Sequence, residues 1–192
     1  MPPLVLASSS PYRRELLNRL RIPFSWSAPE IDETRLPNED ADDLVRRLAK
    51  EKALALRTTH PEHLIIGSDQ AALLNRQILG KPQTFERARE QLLAASGRSV
   101  TFLTGLALLD SHSGHCQVDS IAFTVHFREL TEAQISRYLR AEQPYDCAGS
   151  FKAEGLGISL FRSTEGTDTT SLIGLPLIRL VDMLHNAGID IP

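Results

Sequence analysis

The stretch Leu64-Ile65-Ile66-Gly67-Ser68-Asp69-Gln70 decides the fold. Leu64 to Gly67 is a short apolar run bounded by polar residues, which reads as a strand in the middle of a sheet. Asp69 and Gln70 then fall just beyond its carboxyl end. In open α/β sheets ligands bind outside the carboxyl ends of strands, so a carboxylate at that point faces the binding crevice.

The rest of the chain follows outward from this strand. Leu4 to Ala7 is a second buried strand, and Ser10 with Pro11 starts a helix running to about Leu20. Phe24 to Ala28 reads as a strand, followed by a polar loop over residues 29–40. Leu44, Val45, Leu48, Ala49, Ala53 and Leu56 keep helical spacing and define the strongest helix. Thr84 caps a helix ending at Gly97, and Val100 to Leu109 and Ile121 to Phe127 are strands around a turn at Ser113-Gly114. Thr131 and Gln134 form a capping box for a helix to about Ala141. Ile158 to Arg162 reads as a strand, and a last helix runs from near Pro176 to Gly188. Strands and helices alternate at first, and the middle is strand-rich. The expected fold is therefore α/β, a mixed twisted sheet with flanking helices, in one domain over residues 1–192.

Composition narrows the function. A net charge of −3 and a pI near 6.1 provide no global positive field for DNA or RNA. A phosphate ligand would need a local cluster of Lys and Arg, helped by a cation. Cys116 and Cys147 give no disulfide framework and read as buried structural thiols in a reducing compartment. The amino-terminal apolar run is too short for a signal peptide, and no stretch approaches the roughly 18 apolar residues of a membrane span. The expected location is the cytoplasm.

Four groups of residues could carry chemistry. Ser8, Ser10, Tyr12 and Arg13 lie between a strand and a helix, where backbone N–H groups, hydroxyls and a guanidinium suit phosphate; Ser-Pro is equally an ordinary helix start. Asp69 could bind a metal or take a proton from water, and Asp at a strand end is also a common turn residue. Glu33, Lys52 and Lys81 form a third set, in which Lys52 could be merely part of a solvated helix face. Glu154, among small residues, could accept from a base edge or be a surface loop glutamate. Trp26 reads as a packing residue, or alternatively as a wall of a base pocket. His112, His115 and Cys116 sit on a hairpin tip without a second ligand pair at zinc spacing, so no metal site is expected there.

The order of these segments resembles the Maf family of nucleotide pyrophosphatases. The matching stretches are LASSSPYRRELL (6–17), IDE (31–33), RLAKEKA (47–53), IIGSDQ (65–70), LGKP (79–82), TGLAL (104–108), CAGSFKAEGLG (147–157) and IGLPL (173–177). The resemblance implies a two-lobed fold similar to inosine-triphosphate pyrophosphatase, a homodimer, and a divalent cation, Mg²⁺ or Mn²⁺. It implies that Asp69 accepts the proton of the attacking water, that Glu33 and Asp69 hold the metal, and that Ser8, Ser10, Arg13, Lys52 and Lys81 surround the triphosphate. Tyr12, Gln70 and Glu154 stand where the dTTP/UTP-cleaving branch has Arg, Thr and Gln. This trio is similar to the branch acting on 7-methylguanosine triphosphate. A carboxylate accepts from both N1–H and the exocyclic amine of guanine, and the cationic methylated base suits both Glu154 and the Tyr12 ring. The competing expectations are a pyrimidine triphosphate pyrophosphatase and a partner-binding regulator with a vestigial nucleotide site. The second has less need of Asp69.

Overall fold

The first strand, β1 (Leu4–Ala7), shows why its sequence is apolar throughout. The structure, a computed structural model, describes residues 2–191. Leu4 and Leu6 pack with Leu16, Leu17, Ile66, Leu180 and Leu184, whereas Val5 and Ala7 pack with Ala49, Ala53, Ile65 and Leu109. Successive side chains of a strand face opposite ways, so both of its faces are core.

Ser10 caps α1 (Pro11–Asn18), its hydroxyl accepting from the Arg13 amide at 3.4 Å, with Pro11 at the first helical position. β2 (Phe24–Ser27) and β3 (Leu64–Leu74) both run parallel to β1. Between them, α2 (Ala41–Ala55) is capped by Asp40, which accepts from the Asp43 amide at 2.9 Å, and Asp42 and Asp43 in its first turn suit the helix dipole. β4 (Gln77–Leu79) folds back antiparallel on β3 through Asn75 and Arg76, both at positive φ. Then follow α3 (Phe85–Ala95), β5 (Ser99–Asp110), β6 (Cys116–Phe127), α4 (Glu132–Glu142), β7 (Phe161–Gly166), α5 (Thr169–Ile173) and α6 (Leu177–Asn186). The sheet order is β2-β1-β3-β5-β6-β7, with β4 on β3. The mixed α/β class expected from the element pattern is the class observed. No described helix is long and apolar enough to cross a membrane.

The chain divides into two compact units, residues 1–70, 103–121 and 168–192 in the first and 71–102 and 122–167 in the second. In the first unit α2 lies directly on the sheet. A Cβ on Gly67 would sit 2.0 Å from the Ala49 carbonyl oxygen, and one on Gly105 would sit 2.0 Å from that of Val45. Only glycine admits this approach of helix backbone to strand. The second unit is built on an aromatic cluster. Phe151 packs edge-to-face on Phe102, Phe127 and Phe161 at centroid separations of 5.3, 5.7 and 4.8 Å.

Four expectations need correction. β3 does not stop at Gly67, so Asp69 and Gln70 lie within the strand, and the turn falls at Asn75-Arg76 after the apolar continuation Ala71 to Leu74. Residues 158–160 belong to a 3₁₀ turn (Leu156–Leu160), and the strand there begins at Phe161. A Cβ on Gly157 would meet the Lys152 carbonyl oxygen at 2.2 Å, which marks how tightly that turn is wound. Trp26 is 51% exposed on β2, with the Arg14 guanidinium carbon 4.1 Å from the ring centroid, so a cation–π contact replaces core packing. The two cysteines are half-buried rather than buried. Desolvation nevertheless pushes the Cys116 thiol up, and with Asp146 it pushes the Cys147 thiol up to about 12, so neither is a reactive thiolate.

Candidate active site

Lys52 is a buried cation between two carboxylates. Its ammonium donates to Asp69 Oδ1 at 2.6 Å and lies 2.8 Å from Glu33 Oε1. The Ala49–Gly67 contact produces this meeting. Lys52 is three residues beyond Ala49 on the same face of α2, and Asp69 is two residues beyond Gly67 on the same face of β3. The side chains of Lys52 and Asp69 are 9% and 14% exposed and that of Glu33 is 59% exposed, so the cluster opens to solvent on the Glu33 side. No group of three or more His, Cys, Asp or Glu gathers among the described residues. Two carboxylates still fit a hard divalent ion, because Mg²⁺ typically takes one or two carboxylates and fills its remaining positions with phosphate oxygens and water.

The loop that carries Glu33 is held by Arg47 of α2. Arg47 grips Glu39 with two bonds, at 2.6 and 2.9 Å, and also donates to Glu51 at 3.0 Å and to the Thr34 carbonyl at 3.2 Å. Glu39 in turn accepts from the Leu36 amide at 3.0 Å. The Arg47 bonds hold the Glu39 carboxyl far down, at about 2. Neither Arg47 nor Glu39 stood out in the sequence, because nothing in helical periodicity shows that a helix face will receive a loop glutamate.

Ser8 and Arg13 form the second element of the site. The buried Ser8 hydroxyl accepts from the Ser10 amide at 3.1 Å and, more weakly, from Arg13 Nη1 at 3.5 Å, while Arg13 Nε donates to the Gly174 carbonyl at 2.7 Å. Burial lowers the Arg13 pKa from its ordinary value, and the negative charges of Asp69 and Glu33 act against that shift. The guanidinium remains charged and lies within the field of both carboxylates. Tyr12 is half-buried on the first turn of α1.

The segment from Asp168 to Gly174 anchors these residues and was not read as a site from the sequence. The Asp168 carboxylate is buried and accepts from the Thr170 amide and hydroxyl at 2.8 and 2.6 Å and from the Ile178 amide at 2.9 Å. The Gly174 carbonyl, which receives Arg13, also accepts from Ser68 Oγ at 3.0 Å. Gln70 Nε2 donates to Thr104 Oγ1, the Ser171 carbonyl and the Leu172 carbonyl at 3.0, 2.8 and 3.1 Å. The Asp-x-Thr pattern at 168–170 is a capping signal, and it was the one clue available.

Eight of the ten site residues expected from the sequence therefore belong to the first unit: Ser8, Ser10, Tyr12, Arg13, Glu33, Lys52, Asp69 and Gln70. Lys81 and Glu154 belong to the second, and both are exposed. Lys81 follows β4, and Glu154 lies in the turn before the 3₁₀ segment; burial chiefly raises the Tyr138 pKa, and the Glu142 and Glu154 charges add to it.

A mixed α/β protein with a lysine-bridged carboxylate pair, an arginine and a serine-rich helix start has the equipment of a phosphate-processing protein. This chain belongs to the Maf family: residues 3–187 match the family described as Maf-like protein. It is 70% identical to a protein of Pseudomonas fluorescens named 7-methyl-GTP pyrophosphatase and 66% identical to one of that name from Pseudomonas aeruginosa, each over 192 residues and the whole of both chains. Among solved structures, a HAM1 protein from Coxiella burnetii aligns with a TM-score of 0.47 and 17% identity, covering 68% of this chain and 75% of that one.

Proposed function

We propose that this chain hydrolyses 7-methylguanosine triphosphate to 7-methylguanosine monophosphate and pyrophosphate, clearing a modified nucleotide from the pool. The observation that carries this reading is the buried Lys52 ammonium held by Asp69 and Glu33 within the field of Arg13. The methylated guanine is supported by the relatives' names and by the trio Tyr12, Gln70 and Glu154.

In this mechanism Asp69 takes a proton from water as the water oxygen bonds to phosphorus. The phosphoanhydride bond breaks and pyrophosphate leaves with its electron pair. Lys52 has three N–H donors, and two are directed at Asp69 and Glu33, so the third is available to a phosphate oxygen. Arg13 adds a second fixed positive charge, and the Ser8 hydroxyl, accepting from two donors, has its own hydrogen to give. Preorganised charge of this kind stabilises the anion that builds up during the reaction. Lys81 is assigned to the same neutralising work and Glu154 to reading the base, on residue chemistry and family resemblance. Glu33 and Asp69 would hold a divalent cation, Mg²⁺ or Mn²⁺, which when bound offsets polyphosphate charge and lowers the pKa of water. We also assign the chain to the cytoplasm as a homodimer that acts on a small nucleotide and not on nucleic acid. The net charge of −3 supports the last point.

Product analysis tests the reaction. Chromatography of a 7-methyl-GTP digest should show monophosphate and pyrophosphate in equal amounts. Diphosphate and inorganic phosphate instead would make the chain a phosphohydrolase of another type.

A further inference from the structure

The carboxamide of Gln70 can take only one orientation. Its Nε2 faces three acceptors, and two are backbone carbonyls, those of Ser171 and Leu172. The third, Thr104 Oγ1, donates its own hydrogen to the Ser171 carbonyl at 2.9 Å and so turns a lone pair towards Gln70. A flipped amide would place an oxygen against carbonyl oxygens, so hydrogen-bond chemistry fixes the assignment. Thr104 and Ser171 are both fully buried, and Gln70 is half-buried. Oε1, by contrast, receives no hydrogen bond from any described residue. Gln70 is thus pinned at its nitrogen and free to offer its oxygen.

We infer that Thr104 is a positioning residue that locks Gln70 with Oε1 presented as an acceptor for an N–H donor on the base of the substrate. This rests on the nucleotide-hydrolysing reading above. The ionised triphosphate offers only acceptors, so Gln70 in this orientation does not bind phosphate. Asp69 and Gln70 project from opposite faces of β3. The ladder between β3 and β1 ends at Gly67, which leaves the β3 edge at residues 68–70 beyond the end of β1. A nucleotide whose polyphosphate meets Asp69 passes that edge to bring its nucleoside to Gln70. The donor is the exocyclic amine, which guanine has and uracil lacks.

Thr104→Val and Thr104→Ala remove the hydroxyl, and Thr104→Ser retains it. In ¹⁵N-labelled protein the Gln70 side-chain amide, assigned by its loss in Gln70→Leu, should exchange with solvent slowly in the wild type and in Thr104→Ser. It should exchange faster in the two hydroxyl-free variants. The ratio of kcat/KM for 7-methyl-GTP over UTP should fall about tenfold in those variants and recover in Thr104→Ser. A role confined to stability would lower Tm and leave that ratio unchanged. With 7-methyl-ITP, which lacks the exocyclic amine, the variant effect should vanish, and with the 2′-deoxy analogue it should persist. An unchanged ratio in a folded hydroxyl-free variant, or wild-type amide exchange as fast as in exposed glutamines, overturns the inference. If the wild type cleaves no nucleotide, the functional reading fails instead, and the exchange rates still decide the orientation of Gln70.

Discussion

Lys52 Nζ stands 2.6 Å from Asp69 Oδ1 because Gly67 lets α2 rest its backbone on β3. The contact between Ala49 and Gly67 thus sets the Lys52–Asp69 distance through a missing side chain. Gly67→Ala places a methyl 2.0 Å from the Ala49 carbonyl oxygen, and the helix must move. Overpacking of this kind costs about 1–3 kcal/mol. We predict a lower urea midpoint together with reduced kcat, since the shift carries Lys52 away from Asp69. A variant with native stability and native kcat would show that the approach does not matter.

Asp69→Asn keeps the shape of the side chain and removes its basicity. The expected loss in kcat is about 10²- to 10⁴-fold with a native circular dichroism spectrum. A folded variant with near-native turnover would remove Asp69 from the mechanism.

The clamp on the Glu33 loop has a pH signature. The Glu39 carboxyl is depressed from its ordinary 4.5 to about 2 in the folded protein by Arg47. A depressed folded value contributes stability that is fully present above the unfolded value and is lost as pH falls towards the folded one. The contribution should therefore disappear between about pH 4.5 and pH 2. Urea midpoints of the wild type and Glu39→Gln should converge over that interval. A gap that stays constant from pH 6 to pH 2 would mean that the pair does not hold the loop.

Metal dependence tests the carboxylate pair separately. Dialysis against EDTA should abolish pyrophosphate release, and Mg²⁺ or Mn²⁺ should restore it, as hard oxygen ligands favour those ions. Glu33→Gln should raise the Mg²⁺ concentration needed for half-maximal rate while leaving the melting temperature nearly unchanged. Full turnover in EDTA would contradict the assignment.

What could be read in advance follows a physical divide. Ser10 before Pro11 and the Thr131–Gln134 box are local signals, and α1 and α4 start where they indicate. The sequence pattern ends β3 at Gly67 because the apolar run stops there and Asp at a strand end is a common turn residue. Ser68, Asp69 and Gln70 sit inside the strand because Ser68 donates to Gly105 and Gly174, Asp69 meets Lys52, and Gln70 reaches Ser171. Those partners lie up to 106 residues away, and a window of sequence does not contain them. The same divide explains the site. Charged and polar candidates were visible by residue type, whereas Thr104 reaches Gln70 from 34 residues away and Arg47 takes up a loop glutamate, Glu39, that helical periodicity does not reveal.

The most direct test of the central claim is kcat/KM for 7-methyl-GTP, GTP and UTP on the wild type and on Glu154→Gln. A glutamine there offers one acceptor oxygen and turns a donor towards the guanine donors, a mismatch worth about 1–3 kcal/mol, or roughly tenfold or more in relative rate. The wild type should prefer 7-methyl-GTP, and the substitution should depress it more than GTP, because the cationic base also loses a carboxylate. UTP should change least. A wild type that prefers UTP, or a ranking that Glu154→Gln leaves unaltered, would contradict the account.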